Sequence, residues 1–508
     1  MKAKIRRIIF FAASCFFCAD LACAEIPLGE TNNFIFSISP YLRTDVVTLK
    51  NNLYLDNKNK DDSSTYLGID YSLGFDLKYK ENGPEAYLRL ERNGPYDYDA
   101  PLFIHNTLYT SSAQVERYRN SELFPAVEEF WYDFGLFRLP MRLKTGLFVY
   151  TMGNNITVPA SYENYGLSIY SEENESFKWH FYYCKPDLAN KSFRGPWIKQ
   201  EREQGIHYTP NQANYFAADA LFDFKENTLQ PYVHMLFDGS GGKRTNLFST
   251  PTHDELLGTF GLAWNATFLE KLSLAVEAAR NFGSAKSSDE AYEDVEHCGY
   301  LVYAEAYYDL AKFAPHSRFV YASGNRVSTD EAGDSAFTSG KNRAFSVYSP
   351  LNANLADSLY PDPNYLPLVA MGMGNGLNYG INRPTTFGDP QLLENLILFN
   401  FGLDYTFNKK LTCALDWWYL LSSERGVGTF EGENIRLSPE LGQELDLSFN
   451  YAFNKNVSLS LLSGYFFPGR YYKKRRDDTA GSLFSPFLRG DGEADGAFQV
   501  ELSLELNF

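Results

Sequence analysis

The chain has 508 residues, of which 16% are aromatic (41 Phe, 36 Tyr, 6 Trp) and only 21% charged. That composition excludes a disordered chain, which lacks aromatics, and a coiled coil, which is rich in Ala, Glu, Lys and Leu. A net charge of −17 repels phosphate backbones and excludes nucleic acid as a partner.

The first residues read as an address. Lys2, Lys4, Arg6 and Arg7 precede an apolar stretch from Ile8 to Ala19, and Ala22-Cys23-Ala24 offers small residues for cleavage. This is the pattern of a secretory signal peptide over 1–24. Beyond it only Cys184, Cys298 and Cys413 remain, with no Cys-x-x-Cys pair, so neither a disulfide framework nor a metal site is expected. No cofactor motif is present either. The one charge-free stretch near membrane length, 363–382, holds four Gly and two Pro and reads as loop.

Strands are expected near 34–48, 65–79, 85–92, 127–134, 138–150, 165–171, 176–184, 213–224, 228–238, 256–268, 271–281, 299–310, 315–323, 396–407, 411–421, 441–453, 456–467 and 497–508. Side chains alternate faces along a strand. In 67–79 one face carries Leu67, Ile69, Tyr71, Leu73, Phe75, Leu77 and Tyr79, and the other Gly68, Asp70, Ser72, Gly74, Asp76 and Lys78. The segments 397–407, 444–453 and 498–508 alternate in the same way. Across the four, 24 apolar-face positions hold no charge, whereas the opposite faces hold eight charges in 21 positions. A charge facing lipid costs about 2–4 kcal/mol at the midplane, which accounts for the asymmetry. Runs of ten or more residues suit a tilted strand crossing a bilayer better than a soluble sandwich.

Tight links such as 81–84, 408–410 and 454–456 alternate with long ones near 93–126, 185–212, 324–395 and 468–495. The expected fold is therefore all-β: a transmembrane antiparallel β-barrel of 18 strands, with 16 left open, having short periplasmic turns and long extracellular loops. It forms a single outer-membrane domain over 25–508, in a bacterium of Gram-negative type. Phe508 closes an alternating strand, as a signal to the barrel-assembly machinery would. The outer wall implies outer-membrane lipid and lipopolysaccharide as neighbours.

Several stretches resemble the alginate export family of outer-membrane channels. Glu129-Phe130-Trp131-Tyr132-Asp133 with Leu143-Lys144-Thr145-Gly146-Leu147 is similar to its early hairpin. Tyr321-Ala322-Ser323-Gly324-Asn325 resembles its Ala-Ser-Gly-Asp strand end, with Asn325 in place of Asp. Gly442-Gln443-Glu444-Leu445-Asp446-Leu447 and Gly464-Tyr465-Phe466-Phe467-Pro468-Gly469 resemble its final third. The resemblance implies an 18-stranded channel passing sugars, oligosaccharides or an exported polysaccharide by passive diffusion.

The family's lumen is arginine-rich; here alternation gives a mixed one. Arg43, Lys78, Arg89, Arg138, Arg142, Lys144, Lys178 and Arg318 face inward on this pattern. So do Asp45, Asp70, Asp76, Glu91, Glu129, Asp133, Glu277, Glu305, Asp404, Asp416, Glu444, Asp446, Glu501 and Glu505. Cations gather in the first half of the chain and anions in the second. Strand closure then sets Arg138, Arg142 and Lys144 opposite Asp404 and Asp416, a transverse field that favours dipolar solutes and weak ion selectivity. Tyr182, Tyr232 and His234 also fall inward, where rings stack on a saccharide or fill space. The connection 324–395 is long enough to constrict the pore. The alternatives are a surface adhesin or receptor using that loop, and a barrel enzyme. None of the seven His lies in a His-Glu-x-x-His or Gly-x-Ser-x-Gly context, so no enzyme is expected.

Overall fold

A computed structural model describes residues 26–28, 34–50, 63–79, 83–92, 126–136, 139–148, 150–154, 156–157, 165–171, 176–184, 213–238, 252–287, 294–326, 340–345, 395–425, 427–430, 433–471 and 495–507. The leader, Arg138, Phe508 and most of the 324–395 connection lie outside the described residues.

Strands run in chain order as β1 (Ile26–Leu28), β2 (Phe34–Lys50), β3 (Ser63–Tyr79), β4 (Glu85–Arg92), β5 (Ala126–Gly135), β6 (Met141–Leu147), β7 (Tyr165–Ser171) and β8 (Phe177–Cys184). They continue as β9 (Ala213–Asp223), β10 (Asn227–Asp238), β11 (Thr252–Phe268), β12 (Leu272–Ser287), β13 (Val295–His297), β14 (Tyr300–Tyr308), β15 (Phe313–Ala322) and β16 (Lys341–Asn342). The last third supplies β17 (Leu396–Asn408), β18 (Leu411–Leu421), β19 (Val427–Phe430), β20 (Glu433–Arg436), β21 (Glu440–Asn454), β22 (Val457–Pro468) and β23 (Ala497–Asn507).

Eighteen of these form a closed antiparallel wall, because β2 pairs with β3 on one side and with β23 on the other. Closure satisfies the wall's backbone groups internally, the condition for crossing a bilayer. The other strands are appendages. β1 pairs with Phe34–Phe36 beside the seam, β13 and β16 form a short parallel ladder, and β19–β20 is a separate hairpin.

Sequence alternation dictates the two faces. Outward positions stay exposed and apolar: Phe260, Leu262, Phe401, Leu403, Leu415, Leu445, Leu447 and Leu502 are each at least 37% exposed. Inward neighbours on the same strands are buried, including Thr259, Asn400, Asp416, Glu444, Asp446 and Glu501. Tight turns close one end, as at 269–271, where Leu269 and Glu270 both take positive φ. Positive φ at both central positions matches the twist of the flanking strands.

The expected strand 138–150 is corrected. The wall strand covers only Met141–Leu147, after which the chain leaves the sheet and enters the lumen. Strands expected at 256–268 and 271–281 are longer, reaching Thr252 and Ser287.

Candidate pore constriction

The segment 148–157 is built to sit inside. Its apolar residues Phe148, Tyr150 and Met152 are buried against Tyr182, Tyr215, Tyr232 and Leu236 of the inner wall. Farther along, Ile156 packs on a second apolar cluster that contains Phe345, Leu398 and Trp418. One short segment therefore touches two separate inner clusters.

Polar contacts fix its path. Tyr150 donates its hydroxyl to Asp219 Oδ1 at 2.9 Å, and the same carboxylate accepts from Gln230 Nε2 at 2.9 Å and contacts His180 Nδ1 at 3.2 Å. Burial, with Asp219 beside it, pushes the Tyr150 hydroxyl well above its ordinary pKa, so it stays a donor. The backbone N–H of Asn154 donates to Glu277 Oε2 at 2.6 Å, and Thr157 Oγ1 to Glu277 Oε1 at 3.2 Å. Tyr232 donates its hydroxyl to the same Oε1 at 2.5 Å. Glu277 is fully buried and receives three donors from two elements. Gly153, with φ of 60°, makes the turn, and a Cβ there would lie 2.7 Å from Glu277 Oε2.

These anchors show how far the segment travels. It leaves β6 and is held on β9, β10 and β12, the last being six pairings round an 18-strand wall. Its contacts fall in turn on β8, β9, β10 and β12, so the segment lies inside the barrel against this third of the wall. Asp219, Tyr232 and Glu277 lie four or five residues from the tight-turn ends of their strands. These anchors therefore lie in the tight-turn half of their strands.

The aromatic residues expected to stack on sugar are on the inner face and buried. Tyr182, Tyr232 and His234 do face inward, but each is at most 2% exposed, Tyr182 and Tyr232 against the segment and His234 beside Tyr215 and Tyr232. None presents an open ring face, so their contacts support the segment. Tyr150 stacks on Tyr182 at 4.4 Å between centroids, and Tyr232 lies parallel to His234 at 6.4 Å.

The inward charges pair along the wall rather than across it. Arg142 Nε lies 2.9 Å from Asp133 Oδ1, and Arg142 also donates to Gly83 O at 2.9 Å. Tyr170 donates to the other Asp133 oxygen. Arg89 lies 3.6 Å from Glu129, and Lys144 Nζ sits 3.6 Å above the Trp131 ring. Lys178 is half-buried on the inward face of β8. Across the barrel, His316 Nε2 meets Asp416 Oδ1 at 2.8 Å and Arg318 Nε meets Glu305 at 3.0 Å. Asn400 Nδ2 donates to Asp416 at 2.8 Å, while Asp404 lies 3.6 Å from His316 Nδ1. Glu444 and Asp446 are buried one strand on. At the seam Arg43 bridges Asp45 at 2.7 Å and Glu501 at 2.5 Å. Of the cations expected to face Asp404 and Asp416, Arg142 has a carboxylate on the neighbouring strand, as has Arg89, while Arg138 lies outside the described residues.

Sequence reasoning missed the inner segment. The available signal was Gly153-Asn154-Asn155, turn chemistry directly after an apolar run. It also assigned constriction to 324–395. The described piece of that connection, 340–345, docks on the wall near the loop end. Ser323 Oγ donates to Arg343 O at 2.6 Å, Phe345 N to Ser323 O at 2.9 Å, and Cys298 N to Asn342 O at 2.9 Å.

No protein-family model matches the chain, and no curated protein matches it in sequence. Solved structures do. OccK9 (OpdG) of Pseudomonas aeruginosa superposes at a TM-score of 0.50 with 10% identity, over 93% of this chain and 98% of that one. The fold is that of an outer-membrane porin barrel. OccK2 (OpdF) of the same organism, solved in complex with glucuronate, aligns at 0.47 with 9% identity over 93% and 98% of the two chains. The outer membrane protein opdK of that organism aligns at 0.46 with 9% identity over the same shares. The alginate-export resemblance finds no counterpart in these comparisons.

Proposed function

We propose that this chain is a passive outer-membrane channel for small hydrophilic solutes, saccharides among them. The observation that carries the reading is the segment 148–157, tied through Tyr150 to Asp219 and through Asn154 and Thr157 to Glu277. A barrel serving only to display loops has no need of a segment folded into its bore. Export of a polysaccharide is disfavoured, because the segment and the docked 340–345 piece occupy space a polymer would thread. The adhesin or receptor alternative rests on outer connections that lie outside the described residues.

The test is single-channel recording in planar bilayers, paired with liposome swelling in sugars of increasing size. Wild type is expected to conduct and to exclude large sugars. Glu277→Ala removes the acceptor of three donors; it is expected to raise conductance or add current noise while heat-modifiable mobility persists. Unchanged current would show that the segment does not lie in the conducting path.

A further inference from the structure

We propose that the channel selects cationic solutes, those bearing ammonium or guanidinium groups, through a carboxylate wall running from β14 to β21. The proposal rests on the channel reading above and names the solute class for that pore.

Inward positions on these strands carry Glu305, Asp404, Asp416, Glu444 and Asp446. Among the described inward residues of the same strands, Arg318 is the sole guanidinium or ammonium, and His316 the sole imidazole. At the rim, Glu440 is matched separately by Arg470 at 2.5 Å. Acidic surplus therefore lies within the bore.

The packing gathers five inward carboxylates around one guanidinium and one imidazole. Asp416 and Asp446 are register partners on adjacent strands, both turned inward. Like charges directly opposite are destabilising, so this pair costs the sheet stability. The close donors to Asp416 are the His316 imidazole and the Asn400 amide, each at 2.8 Å, whereas the Arg318 guanidinium stands 3.9 Å away. Arg318 itself is engaged by Glu305 at 3.0 Å. Asp404 keeps 33% of its side chain exposed, open to a passing solute.

The facing wall, β4 to β8, is close to balanced: Arg89, Arg142, Lys144 and Lys178 face inward with Glu85, Glu129 and Asp133. Arg142 and Arg89 have their own carboxylates, at 2.9 and 3.6 Å, and Lys144 lies over an indole. A low-dielectric wall concentrates the field of fixed charges and raises the local density of counter-ions. Rings of Asp and Glu confer cation selectivity on pores by this means.

The decisive measurement is the reversal potential of the purified full-length channel in a KCl gradient. Potassium is expected to permeate several-fold better than chloride, about fivefold or more. Millimolar spermidine is expected to block the potassium current, whereas glucuronate at the same concentration leaves it unchanged. Asp404→Asn should at least halve the permeability ratio, and Asp404→Lys should bring it to about one or below. Heat-modifiable mobility verifies that each variant has folded, and the spermidine and glucuronate arms need no variant. An unselective or anion-selective wild type overturns the cation proposal and leaves the channel reading standing. Cation selectivity unmoved in both folded Asp404 variants overturns the assignment to this wall. A folded barrel without conductance overturns the channel reading, and this proposal with it.

Discussion

Two inward glycines act as windows. Gly402 on β17 is the register partner of both His316 on β15 and Asp416 on β18. A Cβ at Gly402 would lie 2.0 Å from His316 Nε2 and 2.4 Å from Asp416 Oδ1, so the bond between them passes over a bare backbone. Gly261 plays the same part under Tyr232, whose ring would meet a Cβ at 2.0 Å on its way to Glu277. Gly402→Ala should therefore break a buried charge-assisted hydrogen bond. The expected loss is about 1–3 kcal/mol, checked by urea unfolding of the detergent-solubilised barrel. Alternation placed Asp416 and Glu277 inward from sequence alone, because period two is all that assignment needs. It could not show that their partners sit two strands away, since that depends on which side chain is missing from the strand between.

At the scale of single strands, the reading was most secure where lipid imposes a penalty. Leu447 faces outward and is 37% exposed, while Ser448 faces inward, although they are adjacent. Leu447→Arg should cost about 2–4 kcal/mol and reduce assembly, whereas Ser448→Arg should be tolerated. Heat-modifiable mobility of membrane fractions separates the two outcomes, and equal tolerance would contradict the register. The segment 148–157 escaped notice for the complementary reason. Phe148 and Tyr150 continue an apolar run, and nothing in a linear pattern distinguishes burial in lipid from burial inside the barrel. The docked piece of the long connection behaves similarly. Phe345 is fully buried among Leu301, Leu398 and Trp418. Phe345→Ala should cost about 3–5 kcal/mol through the cavity it leaves, measured by urea unfolding. If stability is unchanged, the loop contributes nothing to the folded wall.

Taken as a whole, the barrel divides into two electrical regimes. Near β4–β6 cations and carboxylates neutralise one another across neighbouring strands, and from β14 to β21 carboxylates prevail. The antiparallel barrel was legible from link lengths and alternation, with the count left between 18 and 16 until the pairing showed 18. Charge pairing was not, because it depends on stagger between strands, which no count along the chain supplies.

The seam deserves a kinetic reading. Among the described residues β23 covers β2 from Tyr41 to Lys50, and β1 covers Phe34–Phe36 lower down. A barrel whose first and last strands differ in reach would otherwise end its zipping on a raw edge, with open N–H and C=O groups that invite a second chain. The chain carries its own three-residue patch for that gap, close to β2 in sequence and so joined to it at little entropic cost. Closure can then be a unimolecular event, fast compared with encounter between half-inserted copies. Removing Ile26–Leu28 should leave the finished pore's conductance intact yet increase the share of chains trapped as aggregates during refolding. The three residues at the seam would thus act as a guard on the assembly path, their effect visible in yield and rate and absent from the current.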